Sequence, residues 1–96
     1  MKGGERIPVY SVSYDLNSPG QKYQDLEKKI KEVCTDSCKY VKSSWIVKYS
    51  GNADSLSGEL RKFLDTNDHI LVIKVVNDKQ GWLPKSDWNT INSFFS

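Results

Sequence analysis

Residues 10–17, YSVSYDLN, alternate between apolar and polar side chains. A period of two is the mark of a β-strand that packs one face against a core. We therefore predict a strand whose buried face carries Tyr10, Val12, Tyr14 and Leu16. The other face presents two small hydroxyls, Ser11 and Ser13, and ends in the carboxylate of Asp15. That end of the strand is either a solvated edge or a functional site.

A helix is predicted after this strand. Pro19 and Gly20 favour a turn in NSPGQ, and the apolar residues of the following KYQDLEKKIKEVC recur at spacings of three, four and three. That spacing is typical of an amphipathic helix, whose buried side would hold Tyr23, Leu26, Ile30 and Val33. The charged residues between them have mixed signs, which indicates a solvated face rather than a phosphate-binding one.

Two strands and a second helix are predicted next. Residues 38–51, CKYVKSSWIVKYSG, are rich in β-branched and aromatic residues, as strands are, but the run is long for one strand of a small sheet. A break near KSS, residues 42–44, would divide it in two. In residues 51–68 we predict a helix with Asn52 as N-cap and Asn67 as αL terminator. Its apolar stripe would be Ala53, Leu56, Leu60, Phe63 and Leu64.

Residues 69–76, HILVIKVV, give the clearest strand pattern. Both faces are largely apolar, one with Leu71, Ile73 and Val75 and the other with Ile70, Val72, Lys74 and Val76. A short last helix is predicted in PKSDWNTINSFF, with Ser86 as N-cap and a buried side of Trp88, Ile91 and Phe95. The three tryptophans of the chain are expected in the core or in an interface, namely Trp45, Trp82 and Trp88.

The predicted order of elements is βαββαβ with a short C-terminal helix. The economical arrangement is a ferredoxin-like α+β sandwich, in which two helices cover one face of a small sheet. We expect a single domain over residues 1–96, with residues 1–6 frayed. Ile70, Val72 and Val76 are expected on the face without helices. Because an exposed apolar patch usually marks a contact with a partner, we predict a homodimer, the commonest closed assembly.

The composition narrows the class of protein. The chain has 96 residues, 38% hydrophobic and 27% charged, which is ordinary for a globular domain. No apolar run is long enough for a membrane helix, and the first residues lack the apolar region of a signal peptide, so we predict a cytoplasmic protein without membrane contact. The net charge of +2 leaves nucleic-acid binding open, because local patches decide it. Cys34, Cys38 and His69 are too few for a structural zinc site, and the cysteines are interpreted as free thiols.

Three segments together resemble one family. VYSVSYDLN followed by a helix, then YVKSSWIVKYSG, then NDHILVIKVVND resemble the CRISPR-associated small endonuclease superfamily, ferredoxin-like dimers that work in spacer acquisition. The matching marks are the Tyr14-Asp15 pair, the SSWIV stretch and Asp68, over roughly residues 7–77. SVSYDLNSPGQ and the tryptophan of SSWIV are closer to the SinR-like branch. NSPGQKY lacks the arginines that usually follow the strand aspartate in the endonuclease branch, and a helix is predicted where that branch often sends a strand to its partner.

The resemblance implies a role for Asp15. This residue would lie near the dimer axis and face its twin, so that two carboxylates, waters and a phosphate could hold one Mg²⁺. The ion would polarise a phosphodiester and activate water, which makes Asp15 the candidate catalytic and metal-binding residue. The alternative is that Asp15 caps the NSPGQ loop through an Asx-type hydrogen bond.

Other polar residues are further candidates. The serine of the family motif matches either Ser43 or Ser44, and Ser13 lies on the same strand face as Asp15. With no histidine near in sequence, these serines are interpreted as strand or turn hydroxyls rather than nucleophiles, and His69 as a surface residue. A basic surface for nucleic acid, or charges that keep an edge strand soluble, would be formed by Lys39, Lys42 and Lys48.

Three functions stay open at this point. The first is a metal-dependent nuclease that uses paired Asp15 carboxylates. The second is a catalytically silent dimer that binds nucleic acid or scaffolds a protein complex. The third is a toxin-like ribonuclease, similar to virulence-associated protein D, which shares the fold. All three agree with a small homodimeric protein associated with nucleic acid, and this is the function that we predict.

Overall fold

Seven elements follow one another in a computed structural model that describes residues 6–17 and 20–96. They are β1 (Val9–Asp15), α1 (Gln21–Val33), β2 (Asp36–Val41), β3 (Ser44–Lys48), α2 (Ala53–Arg61), β4 (His69–Val75) and α3 (Lys85–Ser93). The predicted α+β class is confirmed, with a four-stranded antiparallel sheet and three helices. Of the residues expected to fray, 1–5 lie outside the described residues, and the Arg6 guanidinium donates to the Phe95 carbonyl at 2.7 Å.

The sheet has the strand order β2-β3-β1-β4, and each neighbouring pair is antiparallel. The predicted break near KSS is present as the turn between β2 and β3. Ser43 occupies this turn with a φ of 66°, in the left-handed region that non-glycine residues enter mainly in turns. Its carbonyl accepts a hydrogen bond from the Tyr14 amide at 3.1 Å, which fastens the turn to the central strand.

The predicted alternation of β1 decides where the main core lies. The alternating residues Tyr10, Val12, Tyr14 and Leu16 are all buried under α1 and α2, as the period of two requires. Opposite Val12 across the β1–β3 pair lies Trp45, whose indole Nε1 donates to the Tyr14 hydroxyl at 2.8 Å inside the core. The helices close this core with Leu26 and Ile30 from α1 and Leu56 and Leu60 from α2, and each of these four is fully buried.

The prediction for the two faces of β4 is wrong. Ile70 and Val72 pack against the main core, because the register places them opposite Tyr14 and Val12. Leu71 and Ile73 lie on the other face, where 59% and 50% of each residue is exposed. Since both faces of HILVIKVV are apolar, only the pairing of β4 with β1 decides which one is covered.

The third helix covers part of that second face. Around Ile91 of α3 and Phe94, the C-cap of that helix, lies a second buried cluster, with Val9 of β1 and Cys38 of β2. Partly buried residues of the sheet extend it, among them Ile46 and Val75. The opposite end of the face carries a set of partly or fully exposed residues, which we call the open half-face: Ser13, Asp15, Ser44, His69, Leu71 and Ile73.

The helix ends agree with the sequence in part. The predicted N-cap Asn52 is confirmed: its side chain accepts from the Ser55 amide at 2.8 Å and Ser55 reciprocates in a capping box. Ser86 is not the N-cap, because α3 begins at Lys85 and Pro84 occupies the N-cap position, two residues before Ser86. The prediction for Asn67 is also wrong, since α2 ends at Arg61. The turns that follow are closed by hydrogen bonds between residues three apart, such as the one from the Phe63 amide to the Leu60 carbonyl.

Replacing Asn52 by alanine should lower the free energy of unfolding by about 1 kcal/mol, because the Ser55 amide loses its partner. The matched control is Asn67→Ala, whose side chain terminates no helix and should leave stability within about 0.5 kcal/mol. Urea denaturation of both variants measures the difference. Equal midpoints for the two variants would show that the cap contributes nothing.

Candidate functional site

Asp15 lies at the end of β1 on the open half-face, directly opposite His69 in the β1–β4 register. Facing residues of an antiparallel pair have Cα atoms about 4.5–5.5 Å apart and side chains on the same side of the sheet. Both side chains are exposed. The sequence alone assigns His69 to the surface, and nothing in it reveals this pairing, because the two residues meet only once the register of distant strands is set.

Two of the predicted serines join Asp15 on the same face. Ser13 and Ser44 are cross-strand partners, and the Ser44 hydroxyl donates to the Ser13 hydroxyl at 3.4 Å. Ser43 does not join this group. It lies in the β2–β3 turn, where its backbone carbonyl accepts the hydrogen bond from Tyr14. The structure therefore gathers Ser13, Ser44 and Asp15, and adds His69.

This polar group is too small to hold a metal ion alone. A carboxylate and an imidazole are both common metal ligands, but Mg²⁺ requires near-octahedral coordination by oxygen. Over residues 6–17 and 20–96, three or more His, Cys, Asp or Glu side chains do not gather anywhere as a metal-binding group. One chain thus supplies Asp15 and His69 to this end of the sheet, and any further ligands must come from another molecule.

The three predicted lysines do not form one surface. Lys39 lies on the side of the sheet covered by α1, where its ammonium contacts Glu27 at 2.6 Å. Together with Lys42 and Ser43 it lines a groove of about 410 Å³ beside the start of α1. Lys48 lies on the opposite face, beside Asp36. Only Lys39 and Lys42 come together, and the charge of Lys39 is offset by its partner.

A second set of basic residues lies nearer to His69. A cleft of about 830 Å³ runs between the end of α2 and the start of β4. Arg61, Lys62 and His69 line it, together with Asp65 and Asp68. Arg61 ends α2 and Lys62 is its C-cap, in a segment that the sequence pattern assigns only to helix packing and capping, so no motif points to these two residues.

Asp68 fastens the loops behind this end of the sheet. Its side chain is wholly buried and accepts three hydrogen bonds: from the Asn17 amide at 2.7 Å, the Asp65 amide at 3.0 Å and the Lys22 ammonium at 2.8 Å. Lys22 also contacts Asp65 at 3.0 Å. Asp68 therefore holds the start of the NSPGQ loop through the Asn17 amide. The alternative interpretation of Asp15 assigns the capping of this loop to the Asp15 carboxylate instead.

The charges of this cluster reinforce one another. The hydrogen bond from Lys22, followed by those from the two backbone amides, lowers the pKa of Asp68 to about 2. In return, the bond to Asp68 is the main cause that raises the pKa of Lys22. The Asp68 carboxylate is thus the form that the folded protein favours, and its role is to hold loops together.

The two cysteines are free and belong to different cores. Cys34 follows α1 and lies in the main core, whereas Cys38 lies in the cluster under α3. Burial raises the pKa of Cys34 to about 12 and is also the main cause that raises the pKa of Cys38. Both thiols are therefore protonated at neutral pH, which makes them poor nucleophiles and metal ligands.

Comparison with known proteins identifies no relative. No protein-family model matches the chain, and no curated protein and no solved structure matches it significantly. None of the helices in the described part of the chain has the length and apolar character that a membrane span requires.

We expect Asp68→Asn to destabilise the protein, because a side-chain amide is a weaker acceptor than a carboxylate for the hydrogen bonds from the Lys22 ammonium and from two backbone amides. Asp65→Asn is the matched control, since Asp65 is 60% exposed in its contact with Lys22. Thermal unfolding should rank Asp68→Asn well below Asp65→Asn. Equal melting temperatures would contradict the assigned role.

The hydrogen bonds of the Asp68 carboxylate should also make the stability of the protein depend on pH. The pKa of Asp68 is about 2 in the folded chain against an ordinary 3.8, so its stabilisation is complete above about pH 5 and is lost progressively as the pH falls towards 2. The wild type should therefore lose stability faster than Asp68→Asn over this interval.

Proposed function

We propose that the chain has a ferredoxin-like βαββαβ fold with an added C-terminal helix. Read from β4, the strand order is β4-β1-β3-β2 with antiparallel neighbours. The helix α1 links β1 to β2 and α2 links β3 to β4, and both pack on the same core. This order and these connections support the proposal, because two interleaved split βαβ units have them. The third helix lies on the other face, where it leaves the open half-face uncovered.

We further propose that the protein is a homodimer that associates with nucleic acid, and that the open half-face is its dimer contact. The observation that carries this proposal is the pair of half-exposed aliphatic residues, Leu71 and Ile73, beside the polar pair Asp15 and His69. An apolar patch rimmed by polar groups is typical of a protein interface. A two-fold contact at this patch would bring Asp15 and His69 of one copy towards the same residues of the other, so that acid can face base.

Nucleic acid would contact the basic residues outside this patch. Arg61 and Lys62 line the cleft beside His69, and Lys42 lines the groove next to β1. None of these elements carries a motif that reads base edges, so binding would depend on phosphate contacts and weaken steeply with added salt. The resemblance to the CRISPR-associated small endonucleases, and to their SinR-like branch, supports the same class of ligand.

The proposed chemistry is metal-dependent cleavage of a phosphodiester. With Asp15 contributed by each of two copies, a Mg²⁺ bound there would supply Lewis acidity and a nucleophilic water. Each Asp15 would bind the ion, and the adjacent His69 could accept or donate a proton at the same site. The two carboxylates must lie close enough to share an ion, which a catalytically silent scaffold does not require. A toxin-like ribonuclease would use the same residues on RNA.

Asp15→Asn should abolish Mg²⁺- or Mn²⁺-dependent cleavage of RNA or DNA and leave folding unchanged, because it removes one charge per chain and keeps the shape. Asp36→Asn is the matched control, since Asp36 is also an exposed strand aspartate but lies at the other end of the sheet. Activity retained in Asp15→Asn would place the site elsewhere. A wild type inactive on all nucleic acids tested would support the silent scaffold.

Leu71→Asp should convert the homodimer to a monomer by placing a charge in the open half-face. Phe63→Asp is the matched control, because Phe63 is a partly exposed apolar residue, 38% exposed, just after α2. Size exclusion coupled to light scattering distinguishes the species, since one chain has a mass of 11.0 kDa. A wild type of that mass at tens of micromolar would refute the homodimer.

A further inference from the structure

The segment between β4 and α3, residues 76–84, exposes a tryptophan completely. Trp82 is 100% exposed, more than any other large apolar residue in the described chain. The next residue, Leu83, is partly buried, and so is Trp88 of α3. A tryptophan offers a large apolar surface with a single N–H donor and is enriched where proteins meet. A fully exposed tryptophan is therefore a candidate contact residue for another molecule.

An apolar pocket lies beside this tryptophan. It has a volume of about 230 Å³ and is open to solvent between the sheet, α3 and the 76–84 segment. We call it the α3 pocket. Its apolar walls come from β2, β3, β4, α3 and the residues after α3, with Tyr40, Ile46, Val75, Trp88, Ile91 and Phe95.

The size and lining of the α3 pocket suit an indole ring. An apolar cavity of about 150 Å³ is enough to bind benzene, and a pocket half as large again accommodates the fused second ring of indole. Aromatic walls favour an aromatic guest in offset or edge-to-face contact. The pocket and the exposed residue thus match in volume and in chemistry.

The same chain does not fill its own pocket. Leu83 already contributes to the pocket wall, whereas the adjacent Trp82 lies in solvent. Because Trp82 and the pocket belong to one region of the surface, a two-fold axis through this region would let two copies exchange them reciprocally. The rim supports such pairing, since Asp78 and Lys79 both line it, and opposite charges on one rim are self-complementary across a two-fold axis.

We propose that Trp82 of each protomer inserts into the α3 pocket of its partner and anchors the homodimer. This inference rests on the proposed homodimer and adds its anchor. Val75 lines the pocket. Ile73 of the open half-face lies two residues before it in β4, and residues two apart in a strand lie on the same face. The two surfaces are therefore neighbours and can belong to one interface.

Two variants and their mixture test the anchor. Trp82→Ala removes the indole and keeps the pocket open. Val76→Trp leaves Trp82 in place and blocks the rim, at a residue that is 72% exposed and lines the pocket, so folding should tolerate it. Analytical ultracentrifugation of each variant should give a dimer weakened by about a hundredfold, because two anchors worth about tenfold each are lost. Phe63→Ala, which removes an exposed aromatic residue outside the pocket, should dimerise like the wild type.

Mixing the two variants gives the sharper result. The homodimer of either variant has lost both anchors, but a heterodimer of Trp82→Ala with Val76→Trp retains one. The heterodimer should therefore form about tenfold more tightly than either variant pairs with itself. A general loss of apolar contact would not produce this rescue.

The other outcomes overturn the inference in distinguishable ways. If both variants dimerise like the wild type while Leu71→Asp is monomeric, the homodimer stands and the anchor fails. If only Trp82→Ala weakens the dimer, Trp82 contacts a surface other than the pocket. If free indole binds the wild type in calorimetry without competing with dimerisation, the pocket serves a small aromatic ligand. A monomeric wild type removes the homodimer and the anchor together.

Discussion

The antiparallel pairing of β1 with both β3 and β4 is the constraint on which the rest of the structure depends. Because β1 has a neighbouring strand on each side, its side chains can point only to one face of the sheet or to the other. The alternation of the sequence decides which residues lie on which face. Tyr14 faces the helices and Asp15 faces away from them. The same register then fixes what lies beside each, Ile70 in the core and His69 on the open half-face. One strand thereby separates the packing of this protein from its polar surface.

Local sequence patterns predicted the elements well because each depends on neighbouring residues. The alternation of YSVSYDLN, the helical spacing of Leu26 and Ile30, and the Asn52 cap all operate within a few residues. The exposed face of β4 could not be predicted in this way. Both of its faces are apolar, so hydrophobicity is equal on either side and the register with β1 decides.

The candidate site divides along the same line. Strand position and family resemblance point to Asp15, Ser13 and either Ser43 or Ser44; of these, Asp15, Ser13 and Ser44 share a surface, whereas Ser43 lies in the β2–β3 turn. His69 joins them through long-range pairing, and Arg61 reaches the neighbouring cleft through the packing of α2 on β4, neither of which leaves a local pattern. Asp68 shows the opposite case. Its acidic side chain resembles a site residue in the sequence, yet it is buried and its hydrogen bonds hold the loops.

The two apolar clusters on opposite faces of one sheet have a consequence for how the molecule opens. The cluster under α3 is small, with Val9, Cys38, Ile91 and Phe94 buried, so detachment of α3 would leave the contacts of the main core in place. Such sub-global opening requires less free energy than complete unfolding. The thiol of Cys38 is shielded on the α3 side and that of Cys34 on the side of α1 and α2. The chain therefore contains two chemical reporters of its own cooperativity, one exposed by partial opening and the other by complete unfolding.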